Sequence, residues 1–476
     1  MNNALRELRA APRQHIASLL VVTVAALFGV TIIHGITILS AWLRQSPAVQ
    51  GSGTAVAMIA IVGVVFFVLA IFVSALVIAN TFGIIVAGRT ERIALLRLIG
   101  ASAGSLRRSI SAEGMVIGTA GALLGGALGT AVAVTAVWVM ESAGVATLEV
   151  NLLSGWMLLP VATSTLVTWA AAYVGSRRVL SVSPVEATGQ AREPDLDEAR
   201  TGRARHVFSV LTAVAGTVLL VGGVALGQSS PLGILVALFG GMLSFTGLVL
   251  GSAWLMPPAQ RMVAAILGRG TAGTLAARNA VRYPVRTSRT TIGLVIGITL
   301  VVMFATAAAC FNTAMNRALA TMPGATAETI EESEAAVADA LAFFVGLIAF
   351  SVIIAVIGVM NSMSLSVLQR TREIGLLRAV GLTRQGVRNM IVAESGQLTI
   401  AATAMGILLG VLYGWAGALS LLGALEGVGW FLPTIPWGVL GGTVLVAAVV
   451  VTVASLAPAG RAVRVTPMTA LQTGAH

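Results

Sequence analysis

Ten apolar blocks punctuate the chain, at roughly residues 16–43, 55–87, 115–140, 154–175, 206–227, 232–255, 291–315, 337–366, 396–423 and 433–458. Crossing about 30 Å of hydrocarbon takes about 20 helical residues, so each block is long enough to span a bilayer. The blocks are apolar throughout and do not alternate with polar positions. This predicts helices and excludes a membrane barrel. The predicted fold class is an all-α polytopic membrane protein with about ten transmembrane helices. The third and ninth blocks are rich in Gly and Ala, as closely packed membrane helices are. Block 55–87 has about 50 Å of helix at ~1.5 Å per residue, which implies tilt or protrusion as a stalk. The first block is longer than a signal-peptide core and reads as a retained span.

The polar connections contain an internal repeat. Residues 80–100, NTFGIIVAGRTERIALLRLIG, align with residues 361–381, NSMSLSVLQRTREIGLLRAVG, at a constant offset of 281. The alignment continues without a gap through Glu113 and Glu394, Gly125 and Gly406, and Gly129 and Gly410. Each half opens with a short basic segment containing proline and closes with a similar turn, VSPVEA or VTPMTA. Six spans separate equivalent positions, which makes the repeat parallel, not inverted. The expected organisation is a first half over residues 1–190 (spans 1–4), a cytoplasmic linker with spans 5–6 over 191–270, and a second half over 271–476 (spans 7–10). The polar run TGQAREPDLDEARTGRAR at 188–205 reads as a mobile linker.

Composition refines this picture. Hydrophobic residues make up 57% of the 476 and charged residues only 10%, far from the usual balance of a soluble domain. All 29 basic residues are arginine. A phosphate-binding Walker loop requires a lysine, so ATP hydrolysis must come from another polypeptide. With both termini cytoplasmic, 27 arginines face 10 acidic residues inside, and two arginines face eight acidic residues outside. That is the positive-inside pattern, and it explains the net charge of +11 without nucleic acid.

The segment R-T-x-x-I-x-L-L-R-x-x-G occurs in both halves. In the first, Ile93, Leu96 and Gly100 fall at helical spacing, so the run predicts a short amphipathic helix at the cytoplasmic surface, ended by a glycine cap. A second basic helix, SAGSLRRSISAEG, is expected to lead into span 3. Lipid anchoring needs charge and amphipathicity but not the same Thr, Leu-Leu and Gly twice. Two matched copies fit one partner with two equivalent grooves. The segment RTREIGLLRAVG at Arg370–Gly381, preceded by NSMSLSVLQ, resembles the signature of FtsX-like permeases, the MacB-type or type VII ABC transporter permeases.

The resemblance implies two parallel four-helix repeats plus a two-helix insert, a layout similar to bacitracin-efflux permeases. It implies that Arg89, Thr90, Glu91, Leu96, Arg97 and Gly100, with Arg370, Thr371, Glu373, Leu377, Arg378 and Gly381, form coupling helices on a cytoplasmic ABC ATPase dimer, one permease chain per dimer. ATP and magnesium are then bound by the ATPase, and this chain binds no cofactor. The implied role is a bacterial inner-membrane permease subunit, itself not an enzyme, that exports or extracts an amphipathic or hydrophobic substrate such as an antimicrobial peptide or lipid. The alternative is a non-transporting subunit that regulates an external enzyme or sensor kinase. Two departures stand out. The acidic residue shifts from Glu91, before Arg92, to Glu373, after Arg372. The external connections are too short for the large external domain that family members usually carry.

Other chemistry is sparse. His34 in span 1 reads as a helix-packing hydrogen bond, with substrate contact as the alternative. Glu113 and Glu394 are expected at the N-termini of spans 3 and 9, favoured by the helix dipole. Trp42, Trp138, Trp156, Trp430 and Trp437 fall near the outer interface. The cluster Glu331, Glu332 and Glu334 reads as a solvated external segment, with attraction for a cationic peptide as the alternative. Cys310 reads as a packing residue. No spacing suggests a metal site or a nucleophilic triad.

Overall fold

The computed structural model describes residues 12–45, most of 61–80, 90–144, 150, 155–176, 203–267, 284–320, 352–353, 381, 383–425 and 427–464. Among these residues the chain is helical, with no strand. Ten helices are labelled here: α1 (Pro12–Gln45), α2 (Thr90–Leu98), α3 (Ala103–Ser142), α4 (Leu158–Gly175), α5 (Arg203–Gly227), α6 (Gly233–Leu250), α7 (Ser252–Leu267), α8 (Pro284–Ala320), α9 (Arg384–Leu422) and α10 (Trp437–Arg464). Seven of them (α1, α3, α4, α5, α6, α8 and α9) contain stretches long and apolar enough to cross a membrane. Phe67–Asn80 and Trp437–Val449 are shorter apolar helices. Expected block 337–366 lies outside the described residues except for 352–353.

The chain forms two compact units, Met1–Ala191 and Arg192–His476. In the first, α3 packs on both α1 and α4. Gly129 makes the close approach possible: a Cβ there would lie 3.0 Å from the Val30 side chain and 3.0 Å from the Leu27 carbonyl oxygen. In the second unit α9 packs on α8 and α10. Gly410 has the corresponding place, with a Cβ falling 2.6 Å from Val302. Gly129 and Gly410 stand 281 residues apart, and their partners Val30 and Val302 stand 272 apart. Small residues let backbones meet, and backbone proximity holds helices together where lipid gives no hydrophobic drive.

The hairpin α5–α6 belongs to the second unit and lies on α9. Tyr413 donates to Ser244 at 3.0 Å and meets Phe245 edge-on at 6.0 Å. The opposite side of α5, with Phe208, Leu211, Val214, Val218 and Val221, is exposed and apolar, as a lipid-facing surface is. The expected span at 232–255 ends earlier, because the chain turns at Gly251 and starts α7 at once.

Two further expectations change. The basic helix before span 3 and the span itself are one 40-residue helix, α3. Glu113 and Glu394 therefore do not begin helices. Each sits ten residues past its helix start, is only 4% exposed, and lies beyond the reach of a dipole that acts within the first turn.

Candidate coupling site

α2 is a nine-residue helix whose inner face is set by Ile93 and Ala94. Both are buried and pack against Leu106 and Ile110 of α3. The opposite face is apolar as well: Leu95, Leu98 and Ile99 are 51, 54 and 81% exposed. Residues three and four apart share a helix face, so these three form one ridge. Leu96 and Arg97 are half-buried between the two faces.

The end of α2 is fixed by backbone hydrogen bonds. Ala101 N–H donates to the Leu96 carbonyl at 2.9 Å, and Gly100 N–H to the Arg97 carbonyl at 3.1 Å. Gly100 has φ +98°, in the left-handed region. Paired bonds of this kind around a left-handed glycine make a Schellman cap, the glycine stop expected from the sequence. Two residues later Ser102 caps α3, its Oγ accepting from the Ser105 N–H at 3.2 Å. The stop and the restart together hold α2 in a fixed turn against α3.

The described part of the second copy repeats this geometry. Gly381 has φ +107°. Thr383 caps α9, accepting from the Gly386 N–H at 3.1 Å. Leu106 N–H donates to the Ser102 carbonyl at 3.2 Å, and Val387 N–H to the Thr383 carbonyl at 3.0 Å. Every pair is 281 residues apart. Of the other expected site residues, Thr90 and Glu91 lie in the first turn of α2. Arg89, Arg370, Thr371, Glu373, Leu377 and Arg378 lie outside the described residues.

One turn into α3, the guanidinium of Arg107 lies 4.6 Å from the centre of the Tyr173 ring, and its Nε donates to Ser176 Oγ at 3.4 Å. Ser176 Oγ in turn donates to the Tyr173 carbonyl at 2.6 Å, and Trp169 stacks on Tyr173 at 5.9 Å. This clamp joins the start of α3, beside α2, to the end of α4. At the equivalent position Arg388 is exposed. Sequence reasoning missed the clamp, because no spacing links residues 107 and 173. It also missed the ridge, although Leu95, Leu98 and Ile99 carry a legible i, i+3, i+4 pattern.

Elsewhere, His34 is buried and its Nε2 lies 3.3 Å from Thr130 Oγ1, a hydrogen bond between α1 and α3. Cys310 is fully buried in a cluster with Leu419, Leu422 and Phe431, and its sulfur accepts from Thr434 N–H at 3.5 Å. Trp138, Trp430 and Trp437 are strongly exposed.

The chain matches the family model "FtsX-like permease C-terminal" twice, over residues 64–184 and 345–467. The two starts are themselves 281 residues apart. An uncharacterized ABC transporter permease of Bacillus subtilis, YknZ, is 36% identical over 123 residues, covering 26% of this chain and 29% of that protein. The B. subtilis ABC transporter permease YtrF is 41% identical over 66 residues, 14% of this chain and 15% of its own length. The macrolide export ATP-binding/permease protein MacB of Nitrobacter winogradskyi is 35% identical over 126 residues, 26% of this chain and 18% of that protein. The matched stretch thus spans less than a third of each of these relatives. With the family pattern present twice, over just over half of its residues, and with helices of membrane-spanning length, the chain belongs to the FtsX-like permease family of multi-pass plasma-membrane proteins.

Proposed function

We propose that this chain is the membrane subunit of an ABC transporter driven by a separate ATPase, which binds the ATP and magnesium. Helix α2 and its counterpart at 371–379 are the docking elements, one on each subunit of an ATPase dimer. The observation that carries this reading is the exposed ridge Leu95, Leu98 and Ile99 on a helix whose other face is seated on α3. A free apolar ridge between a fixed cap and basic residues is suited to a hydrophobic groove in a partner. The left-handed Gly381 and the Thr383 cap of α9, at the positions of Gly100 and Ser102, support a second docking element of the same design.

Movement of a docked α2 acts directly on α3. At ~1.5 Å per residue α3 is about 60 Å long, twice the hydrocarbon thickness, so its first turns lie outside the bilayer core. The Arg107 clamp passes the displacement on to α4. The arginine distribution supports cytoplasmic termini and ten spans in two parallel four-span halves with an inserted pair. Short external connections favour an amphipathic or hydrophobic substrate taken from the bilayer and moved outward.

The test is co-purification of the chain with the ABC ATPase expressed alongside it. Replacing Leu95 and Ile99 together by Glu is expected to weaken the complex at least tenfold while the permease remains folded. Each unpaired charge left in such an interface costs about 2–5 kcal/mol. Unchanged co-purification of this variant, with the second copy also altered by Leu376→Glu, contradicts the docking role.

A further inference from the structure

α7 is not accounted for by the permease reading. It starts directly after α6: Trp254 and Leu255 N–H groups donate to the Gly251 carbonyl at 2.9 and 3.0 Å. A Cβ on Gly251 would strike Ser209 Oγ, and the Trp254 ring meets the His206 ring edge-on at 6.4 Å. The start of α7 is therefore level with the first turns of α5, where that membrane span begins at His206.

Its two faces differ. Ser252, Met256 and Gln260, four residues apart, are buried; Met256 packs with Leu294, Val295, Ile298, Val302 and Ala402 of α8 and α9. The outward face carries Trp254 (61% exposed), Pro258, Arg261 and Met262 (71% exposed). Pro257 and Pro258 lie inside the helix, so neither supplies an N–H to the carbonyls of Ala253 and Trp254. Backbone of this kind is costly against hydrocarbon and tolerable at the headgroups. Trp, Arg and Met on one face, with a polar backbone, belong at the interface.

In the sequence flanking α7 the charge is of one sign. No Asp or Glu occurs between Glu198 and Glu328, while nine arginines lie from Arg200 to Arg289 inclusive. Basic clusters at a membrane end attract anionic headgroups.

We propose that α7 is an in-plane interfacial helix whose outer face binds an anionic phospholipid, with Arg261 on the headgroup phosphate and Trp254 and Met262 against the upper acyl chain. The bound lipid is a wedge between the bilayer and the surface where α7 covers α8 and α9.

The test uses the full chain carrying Met262→Cys, labelled with a fluorophore. Cys310 is fully buried, and the chain without Met262→Cys gives the labelling background. The labelled chain is reconstituted in nanodiscs containing brominated phosphatidylglycerol or, at the same mole fraction, brominated phosphatidylcholine. Quenching is expected to show about fivefold stronger association of the anionic lipid, as about 1 kcal/mol per basic residue implies. The preference should vanish in Arg261→Gln and return in Arg261→Lys, at unchanged melting temperature. Equal quenching by the two lipids in the chain with Arg261 overturns the proposal, as does a preference that survives Arg261→Gln. Quenching by aqueous iodide but by neither brominated lipid overturns it too, and marks the face as open to water or to a protein.

Discussion

At the scale of single residues, two kinds of position make sharp predictions. Gly100 and Gly381 hold left-handed backbone, and a Cβ at either would meet nothing within 4 Å. The penalty for Ala is then purely conformational, about 1–2 kcal/mol each. Gly100→Ala should lower the melting temperature and loosen α2, seen as faster amide exchange at Ile93 and Ala94. No change in exchange there would mean the cap does not hold the helix. Gln260 is the opposite case: its side chain is 2% exposed, and neither amide atom has a hydrogen-bond partner among the described residues. An unsatisfied buried polar group costs about 1–3 kcal/mol. Gln260→Met, close in shape and free of that penalty, should raise the melting temperature in detergent; a lower value would show that the amide is satisfied in solution.

At the scale of elements, helix packing depends on backbone approach. Gly410→Leu forces a side chain into Val302 and should destabilise the α8–α9 pair by about 1–3 kcal/mol. Gly417→Leu, on the same helix but with open space around it, should be nearly neutral in thermal unfolding. The sequence made much of this level legible. Apolar blocks predicted α1, α3, α4, α5, α6, α8 and α9, and the constant offset predicted matched glycines at 129 and 410, which the structure places in matched contacts. The glycine stop at 100 was readable because only a residue without a Cβ takes that backbone freely. What stayed hidden was long-range or local in a different way. The Arg107–Tyr173–Ser176 clamp needs α3 and α4 brought together, which no spacing encodes. α7 was masked by the apolar block before it, since Trp254, Leu255 and Met256 extend the hydropathy of α6 past the turn at Gly251. Glu113 looked like a helix start only because the first ten residues of the helix, AGSLRRSISA, carry three serines and two arginines and resemble a separate element.

At the scale of the whole molecule, topology and coupling stand or fall together. Arginine distribution predicts that Ser229, between α5 and α6, faces outward and that Glu193 faces inward. A cysteine replacing Ser229 should react with an impermeant maleimide in intact cells, and one replacing Glu193 should not; the reverse pattern inverts the topology. In the proposed transporter, α2 and its counterpart each hold one subunit of an ATPase dimer. The most direct measurement places a photo-crosslinking amino acid at Ile99 in one preparation and at Val380, its equivalent 281 residues on, in another. Each is irradiated in membranes with the co-expressed ATPase. The expected result is an ATPase adduct from both positions, with one permease chain per two ATPase subunits in the purified complex. Adducts to lipid alone from both positions would contradict it, and would make these segments membrane anchors.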